Sequence, residues 1–328
     1  MRTNFLKSII TTGLMINLAG CFGDTVFEAA PLSEFRHTNE PVLSAALTVD
    51  GSMSIVAEQG KVCLWDNKTN QLKFKCLVGD DAKHIELVGF SKDKSKYFIS
   101  NRTSVHMFSA TTGQLVGSWA TGKNIARDIA VSADASTILI GYRSGEAQVI
   151  NTQTSVSKLL KIHRLDINSV ALSDDGTTAL TGSSDKFAYV WTTNDGKITQ
   201  RFKSTTRINH VAMNSNASIG FSIDSVDDRQ FLDLKTAEER AELNIMANFI
   251  EFNDSLFIND DKWFLTGLPK STLYLWRVAD GQQLAEYKAA KLRLRSSVLA
   301  VAYDKNSKSI MTETSDGVLE VWPYEPPK

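Results

Sequence analysis

Two short patterns recur along this chain at nearly constant spacing, and this repeat constrains the fold more than any other feature of the sequence. Both recur every 41 to 46 residues, close to the roughly 40–45 residues of a unit of four strands. The chain is therefore predicted to contain seven similar β units. The first pattern, the apolar end of a strand-like stretch and the residue after it, occurs at Trp65-Asp66, Phe108-Ser109, Ile150-Asn151, Trp191-Thr192, Leu232-Asp233, Trp276-Arg277 and Trp322-Pro323. The second, a polar turn, occurs at Asp50-Gly51, Asp93-Lys94, Asp134-Ala135, Asp175-Gly176, Asn216-Ala217, Asp261-Lys262 and Asn306-Ser307.

The clearest unit runs from His163 to Trp191 and contains the turn Asp175-Gly176. Its alternating stretch Phe187–Trp191, bounded by polar turns, is typical of a strand. This unit resembles the repeat of the WD-repeat family, and a weaker resemblance extends over about residues 42–324. The resemblance implies an all-β fold, a seven-bladed WD-repeat β-propeller.

The last unit lacks a fourth strand, because only a short, proline-rich stretch follows Trp322 and proline disfavours a strand. The family's N-terminus often supplies that strand, and here Val26–Phe35 is expected to do so. The ring would then be closed by the N-terminal strand pairing into the last blade. A six-bladed or open ring is the alternative. The predicted segments are a lipoprotein signal peptide over 1–20, a lipidated N-terminus and closing strand over 21–41, and the propeller over 42–328.

The first 21 residues have the pattern of an export signal. A cationic head with Arg2 and Lys7 precedes a mostly apolar stretch, residues 8–17, about half as long as a bilayer-spanning helix. The following Leu18-Ala19-Gly20-Cys21 resembles the lipobox of bacterial lipoproteins. That resemblance implies cleavage before Cys21 and lipidation of its thiol and new amine. The alternative is a plain cleaved signal, or an uncleaved anchor, with Cys21 there by chance.

The expected location of the protein follows from a comparison with the sorting signals of bacterial lipoproteins. In enterobacterial lipoproteins an aspartate directly after the lipidated cysteine favours the inner membrane, whereas this chain has Phe22 at that position. We therefore expect an exported protein, lipid-anchored in the outer membrane and facing the periplasm.

Composition and charge narrow the classes of function. The chain is 42% hydrophobic and 22% charged, with a formal net charge of −1, which is ordinary for a globular protein. A nucleic-acid binder would usually carry a basic excess, so nucleic acid is not an expected partner. No catalytic or cofactor constellation is present in the sequence. We expect no enzyme activity, no cofactor and no metal, and a protein that is monomeric by itself.

Four polar and aromatic residues of the clearest unit match the family's structural hydrogen-bond chain. They are His163, Thr181, Asp185 and Trp191. A His–Asp–Thr set also invites a hydrolase interpretation. We reject this interpretation for two reasons. The tryptophan ends the hydrogen-bond chain in the way expected of a structural set, and the residue spacing follows the repeat rather than the turn that carries a nucleophile. The other units match incompletely: Asp316 and Trp322 lack a matching histidine, and His37 lacks a matching aspartate.

Cys63 and Cys76 flank a predicted turn of the first unit. An oxidising periplasm permits a disulfide between them. Two separate small residues are the alternative, because the geometry cannot be derived from sequence.

Basic residues recur before the innermost strand of most units. In the family these segments form the narrow face of the ring, so a positive ring for a partner is one hypothesis, and solvated loop tips among nearby acids are the other. The residues of this candidate face are Arg36, Lys83, Lys123, Arg127, Arg164, Arg207, Lys291, Arg293 and Arg295.

The leading functional hypothesis is a non-catalytic, membrane-tethered periplasmic scaffold that binds another envelope protein, in part by analogy of fold. A narrower form is a role in outer-membrane protein assembly, where a propeller lipoprotein of a different repeat type is known. The alternative class is a ligand-binding or enzymatic propeller that uses its central channel. The innermost strands contain small apolar runs such as Val170-Ala-Leu172, so we expect a channel without an acid–base pair.

Overall fold

The computed structural model describes residues 26–122, 124–245 and 248–324. The predicted signal peptide, Cys21 and Lys123 lie outside the described residues. Within the described ranges the chain is built of β-strands, with one 3₁₀ turn at Gly79–Ala82 and no α-helix. No helix in this part of the chain is long and apolar enough to span a membrane.

The strands in chain order are β1 (Phe27–Glu28), β2 (Ser33–Arg36), β3 (Ser44–Leu47), β4 (Met53–Glu58), β5 (Lys61–Asp66), β6 (Gln71–Leu72), β7 (Leu77–Val78), β8 (Leu87–Phe90), β9 (Lys96–Ser100), β10 (Ser104–Ser109), β11 (Leu115–Ala120), β12 (Ala126–Val131), β13 (Thr137–Tyr142), β14 (Glu146–Asn151), β15 (Ser157–Lys161), β16 (Ile167–Leu172), β17 (Thr178–Ser183), β18 (Phe187–Thr192), β19 (Ile198–Lys203), β20 (Ile208–Met213), β21 (Ile219–Asp224), β22 (Arg229–Asp233), β23 (Glu239–Glu242), β24 (Asp254–Ile258), β25 (Trp263–Leu268), β26 (Thr272–Arg277), β27 (Gln283–Lys288), β28 (Val298–Asp304), β29 (Ser309–Thr314) and β30 (Val318–Pro323).

These strands form seven sheets, which are the blades, and all strand pairs in them are antiparallel except β1 with β27. Blade one is β3 to β7, blades two to five are β8–β11, β12–β15, β16–β19 and β20–β23, blade six is β24–β27 with β1, and blade seven is β28–β30 with β2. Each inner strand contacts the inner strand of the next blade, and β28 returns to contact β3. The predicted seven-bladed ring is therefore confirmed, and it is closed.

The ring is closed by the N-terminal segment, although by less of it than the sequence suggested. Only Ser33–Arg36 pairs with the last blade, antiparallel to β30. Phe27–Glu28 instead adds a parallel fifth strand to blade six, against β27. The expected closing strand, Val26–Phe35, is thus divided between two neighbouring blades, and both outer edges are covered.

The turn between the first two strands of each blade requires a left-handed backbone. Gly176 has φ of +72° there, and Ala135 and Ala217 adopt positive φ at the same position of their blades. Glycine adopts this conformation without steric cost, which explains the recurrent Asp-Gly pattern. The turn residues therefore set the hairpin register.

The apolar core lies between neighbouring blades. One cluster joins Leu139 and Val149 of blade three to Ile167, Val170 and Trp191 of blade four. A glycine in the second strand allows such close packing: a Cβ on Gly182 would come within 2.6 Å of Ile208 in the next blade. Because every blade buries its face against its neighbour, the loops that lead into the inner strands, here called the lead-in loops, share one face of the ring.

Candidate functional site

The structure brings all four residues of the predicted tetrad together in blade four. His163 lies 2.8 Å from Thr181 through Nε2 and 3.1 Å from both carboxylate oxygens of Asp185 through Nδ1. The Trp191 indole N–H donates to Thr181 Oγ1 over 3.1 Å. Burial opposes ionisation of Asp185, but hydrogen bonds from His163 and the Arg164 N–H outweigh it and lower the pKa of that carboxyl.

This tetrad has the chemistry of a structural clamp rather than of a hydrolase. Thr181 has no exposed surface, so its hydroxyl cannot reach a substrate, and both of its neighbours already use it for hydrogen bonds. Tyr189 stacks on the His163 ring with centroids 4.5 Å apart. The clamp fixes the lead-in loop of blade four to the turn after β17.

Two other blades keep the buried threonine–tryptophan half of this arrangement. Trp276 donates to Thr266 over 2.9 Å in blade six, and Trp322 donates to Thr312 over 3.0 Å in blade seven. In each of these blades the tryptophan stands ten residues after its threonine, as Trp191 does after Thr181. The threonine–tryptophan bond is therefore the most regular part of the clamp among the described blades.

Asp316 of blade seven holds a loop where Asp185 holds a histidine. It accepts the Leu292 N–H over 2.7 Å, the Arg293 N–H and guanidinium over 3.2 Å each, and the Ser296 hydroxyl. Burial opposes ionisation, but these donors outweigh it and lower the pKa of Asp316. The missing histidine is evident from the sequence, whereas these replacement partners are not.

His37 has no matching aspartate in its own repeat, but it has a carboxylate partner in blade seven. Its Nδ1 lies 2.8 Å from Glu313 Oε2 of β29, and both side chains are buried. The His37 ring also stacks on Trp65 of blade one, with centroids 4.7 Å apart. This pair joins the closing segment to blades one and seven.

The predicted basic residues lie on or beside the lead-in loops, and acidic side chains lie among them. Arg293 is half-buried and pairs with Asp316 at 3.2 Å. Nearby pairs on the same face join Arg102 to Glu86 and Arg143 to Asp166. The face therefore has mixed charge. The exposed members of the predicted set are Arg36, Lys83, Arg127, Arg164, Arg207, Lys291 and Arg295.

Exposed apolar side chains lie on the same lead-in loops, which the sequence analysis did not find. A set of exposed apolar groups on one face is typical of an interaction surface. The alternation Lys291-Leu-Arg-Leu-Arg295 was the available signal. These side chains and their exposed fractions are Leu43 57%, Ile125 53%, Leu165 52%, Phe249 73%, Leu292 53% and Leu294 88%.

Blade six supplies one of them from its aromatic-rich segment. Phe257 of this segment packs on Phe231 and Phe264. Phe249 is the exposed ring, on the loop before β24. Its φ of +59° is unusual for a residue with a side chain.

The central channel carries ionisable groups, although the sequence predicted a lining of small apolar residues without an acid–base pair. A cavity of about 500 Å³ is lined by Asp128, His210 and Asp254 among others. These residues stand at one position of the inner strands of blades three, five and six. Apolar residues that follow them in sequence, such as Ala130 and Ala212, line the same cavity.

The two channel carboxyls also bind the next blade. Asp128 accepts the Val170 N–H over 2.8 Å, and Asp254 accepts the Val301 N–H over 2.8 Å. Burial raises the pKa of Asp128 to about 6. Burial, with the nearby charge of Asp128, raises the pKa of Asp254 to about 7. Burial lowers the pKa of His210 to about 4, so this ring is neutral at physiological pH.

No metal site accompanies these groups in the described part of the chain. Within residues 26–122, 124–245 and 248–324, no three His, Cys, Asp or Glu side chains form a metal-binding cluster. The channel can offer hydrogen bonds and two carboxyls of raised pKa to a ligand.

Cys63 and Cys76 form a disulfide, with Cα atoms 4.5 Å apart. The bond joins β5 to the interruption between β6 and β7, where the outer strand of blade one leaves the sheet. The disulfide thus ties the interrupted outer strand of blade one to β5.

Known proteins resemble this chain in the repeat region. The family described as WD domain, G-beta repeat, matches residues 154–192, which contain the whole tetrad. The WD repeat-containing protein SL1-17 of Schistosoma mansoni is 25% identical over 194 residues, 58% of this chain and 64% of that protein. The SIR4-interacting protein SIF2 of Saccharomyces cerevisiae is 20% identical over 198 residues, 59% of this chain and 30% of that protein. The matched regions span less than two thirds of these curated relatives. With the matched repeat, its buried tetrad and seven closed blades, this chain folds as a seven-bladed WD-repeat β-propeller.

Proposed function

We propose that this chain is an exported, lipid-anchored propeller that acts as a non-catalytic scaffold for another protein of the bacterial cell envelope. Propellers of this family typically bind other proteins. The observation that carries the proposal is the set of exposed apolar side chains on the lead-in loops of blades one, three, four and six, Leu43, Ile125, Leu165 and Phe249, which would cost free energy if left in water. The mixed charges around them would select the partner and its orientation.

The anchor and location in this proposal rest on the N-terminal sequence. Leu18-Ala19-Gly20-Cys21 supports lipidation of Cys21, and more than one acyl chain makes membrane attachment stable. Phe22 supports the outer membrane, with the propeller in the periplasm. A role in outer-membrane protein assembly would be one form of such scaffolding.

Site-specific photocrosslinking in intact envelopes tests the scaffold. A photoreactive residue at Leu165 or Phe249 is expected to capture a defined protein, because both side chains protrude from the lead-in loops. The matched control is Leu159, which is 54% exposed on the outer strand of blade three. Equal capture at all three positions, or none, would contradict binding through this face.

Labelling with radioactive palmitate tests the anchor separately. Incorporation into the wild-type chain and its loss in Cys21→Ala are expected. Export without any acyl incorporation would contradict the lipid anchor. The scaffold role would then still be tested by crosslinking.

A second candidate function is small-molecule binding in the channel, favoured by Asp128 and Asp254 at one level of the cavity. Perturbed carboxyls in a cavity are frequent at functional sites. Native mass spectrometry that detects a stoichiometric small molecule, lost in Asp254→Asn, would favour this function over a purely scaffolding one.

A further inference from the structure

The lead-in loop of blade seven, residues 289–297, is the most exposed apolar element of the described chain. Leu294 is 88% exposed and Leu292 is 53% exposed. Lys291, Arg293 and Arg295 alternate with these leucines, and the loop contains no acidic residue. The loop tip therefore combines apolar side chains with positive charge.

This tip is held in place rather than free to collapse onto the protein. The Asp316 carboxylate accepts the backbone N–H groups of Leu292 and Arg293. The Arg293 guanidinium also donates to the carbonyl oxygen of Asn39 in the N-terminal segment. Of the three cations, Arg293 is used internally, and Lys291 and Arg295 are exposed. The leucines are thus presented to solvent by a fixed backbone.

The loop lies in the same sector of the ring as the point where the chain enters the propeller. It follows the end of β27, and β1 pairs in parallel with this strand, with Phe27 opposite Ala285, so Val26 lies toward the start of β27. Cys21 precedes Val26 by five residues, a stretch that spans at most about 17 Å when extended. A lipid on Cys21 would therefore keep this sector of the ring close to the bilayer.

We propose that the loop 289–297 inserts Leu292 and Leu294 into the surface of an anionic membrane, with Lys291 and Arg295 at the lipid headgroups. For its tether this inference rests on the proposed lipidation of Cys21. A protruding apolar tip flanked by cations suits a lipid surface, whereas a peptide is usually bound in a concave groove. Of the acidic residues in this sector, Glu28, Glu34 and Glu286 lie on the outer strands and Glu40 follows Asn39 in the N-terminal segment; none lies on the loop.

Fluorescence quenching in reconstituted vesicles tests this contact. The full-length lipidated protein carries a single polarity-sensitive label at Leu294→Cys, and intact mass verifies the acyl groups on Cys21. Cys63 and Cys76 are joined to each other, so the new thiol is labelled selectively. The vesicles contain phosphatidylethanolamine and phosphatidylglycerol with a spin-labelled lipid near the headgroups. The matched control is Leu159→Cys, an exposed leucine between lysines on blade three.

The label at position 294 is expected to be quenched at least about threefold more than the label at position 159. Reversing two cations, Lys291→Glu with Arg295→Glu, should weaken binding to the vesicles about 25-fold, from a loss of roughly fivefold per cation. Melting temperatures of the variants check that the fold is intact.

Equal quenching at both positions, or quenching that is unchanged by the charge reversal and by neutral phosphatidylcholine vesicles, would overturn the proposal. Capture of an envelope protein by a photocrosslinker at position 294, without lipid quenching, would assign the loop to a protein partner instead. If intact mass shows no acyl group, the proposed anchor fails. The same labelled protein added to preformed vesicles then tests the loop by itself.

Discussion

Blades four and seven share a buried threonine–tryptophan bond and an aspartate at the same position, yet the two aspartates have different partners. Asp185 binds His163, which in turn reaches Thr181. Asp316 binds the backbone, hydroxyl and guanidinium of the lead-in loop. The comparison teaches that the buried acceptor is the common requirement. Where no histidine is present, a loop with enough donors can replace it, and that loop is then free to carry exposed leucines.

The same two blades differ at the residue two positions before the tryptophan. In blade four this residue is Tyr189, stacked on His163. In blade seven it is Glu320, which is buried and accepts the Ala290 N–H over 2.9 Å. Blade seven therefore fixes its lead-in loop with two carboxylates, and blade four fixes its own with a ring and one carboxylate.

The largest effect is expected for Asp316→Ala, which removes the acceptor of four donors in blade seven. Loss of several hydrogen bonds to a buried charge should lower the free energy of unfolding by about 3–5 kcal/mol. Urea denaturation checks the value, and hydrogen exchange should increase at Leu292 and Arg293. Asp316→Asn, which keeps an acceptor, is the matched control. An effect no larger than that of Asp185→Ala would contradict the comparison.

Blade one has neither the aspartate–histidine pair of blade four nor the aspartate–loop contacts of blade seven, and a disulfide holds its outer strand. Replacing both cysteines, Cys63→Ser with Cys76→Ser, should cost about 3 kcal/mol for a loop of this length, since the sequence separation is 13 residues. Unfolding with and without a dithiol reductant measures the difference in the wild type. The free energy of unfolding of the double variant should not change with the reductant. A change would show that the effect of the reductant does not come from this disulfide.

A smaller effect is expected for Asp185→Ala in blade four. Removing the carboxylate leaves His163 and the Arg164 N–H without their partner, which should cost about 2 kcal/mol. The melting temperature should fall, while crosslinking through the lead-in loops of the other blades stays unchanged. Unchanged stability would show that the tetrad does not act as a clamp.

The smallest expected effect is a pH dependence of the free energy of unfolding that arises from Glu320 in blade seven. Burial, with the charges of Glu34 and Glu313, raises the pKa of Glu320 to about 7 against the bond from the Ala290 N–H. The folded state therefore holds a proton that the unfolded chain releases at lower pH, so stability falls as pH rises from about 5 to 7. Glu320→Gln should remove about 1–2 kcal/mol of this change.

Other groups contribute to the same pH window, so the difference between the two proteins is the measurement. The raised pKa values of Asp128 and Asp254 act in the same direction as that of Glu320, and the lowered pKa of His210 acts against them. Urea denaturation at pH 5 and pH 8 gives the change for each protein. Tyr189→Phe in blade four is the control and should retain the wild-type dependence. Identical dependence in Glu320→Gln would exclude this carboxyl as the source.

Sequence reasoning was most successful where the pattern is local to one blade. The repeat spacing predicted the number of blades, and the residues from His163 to Trp191 lie within 29 positions of one another, so their pattern follows from one hairpin set. It missed the ionisable groups of the channel, because Asp128 and His210 immediately precede apolar runs of the kind that were taken as the lining. Which residue of an alternating strand faces the axis depends on how the blades pack, and no pattern within one strand decides it.

Repeat period, turn chemistry and the tetrad of blade four are determined by the sequence alone, because each rests on the backbone preferences and spacing of neighbouring residues. The tertiary structure decided the rest. It divided the N-terminal segment between blades six and seven, joined Cys63 to Cys76, gave Asp316 a loop instead of a histidine, and paired His37 with Glu313, 276 residues away. The strand pairs of the N-terminal segment and the His37–Glu313 contact exist only because the ring closes, whereas the disulfide and the Asp316 contacts form within single blades. Closure brings the two ends of the chain together, and the pairs that then form depend on packing between blades rather than on any local pattern.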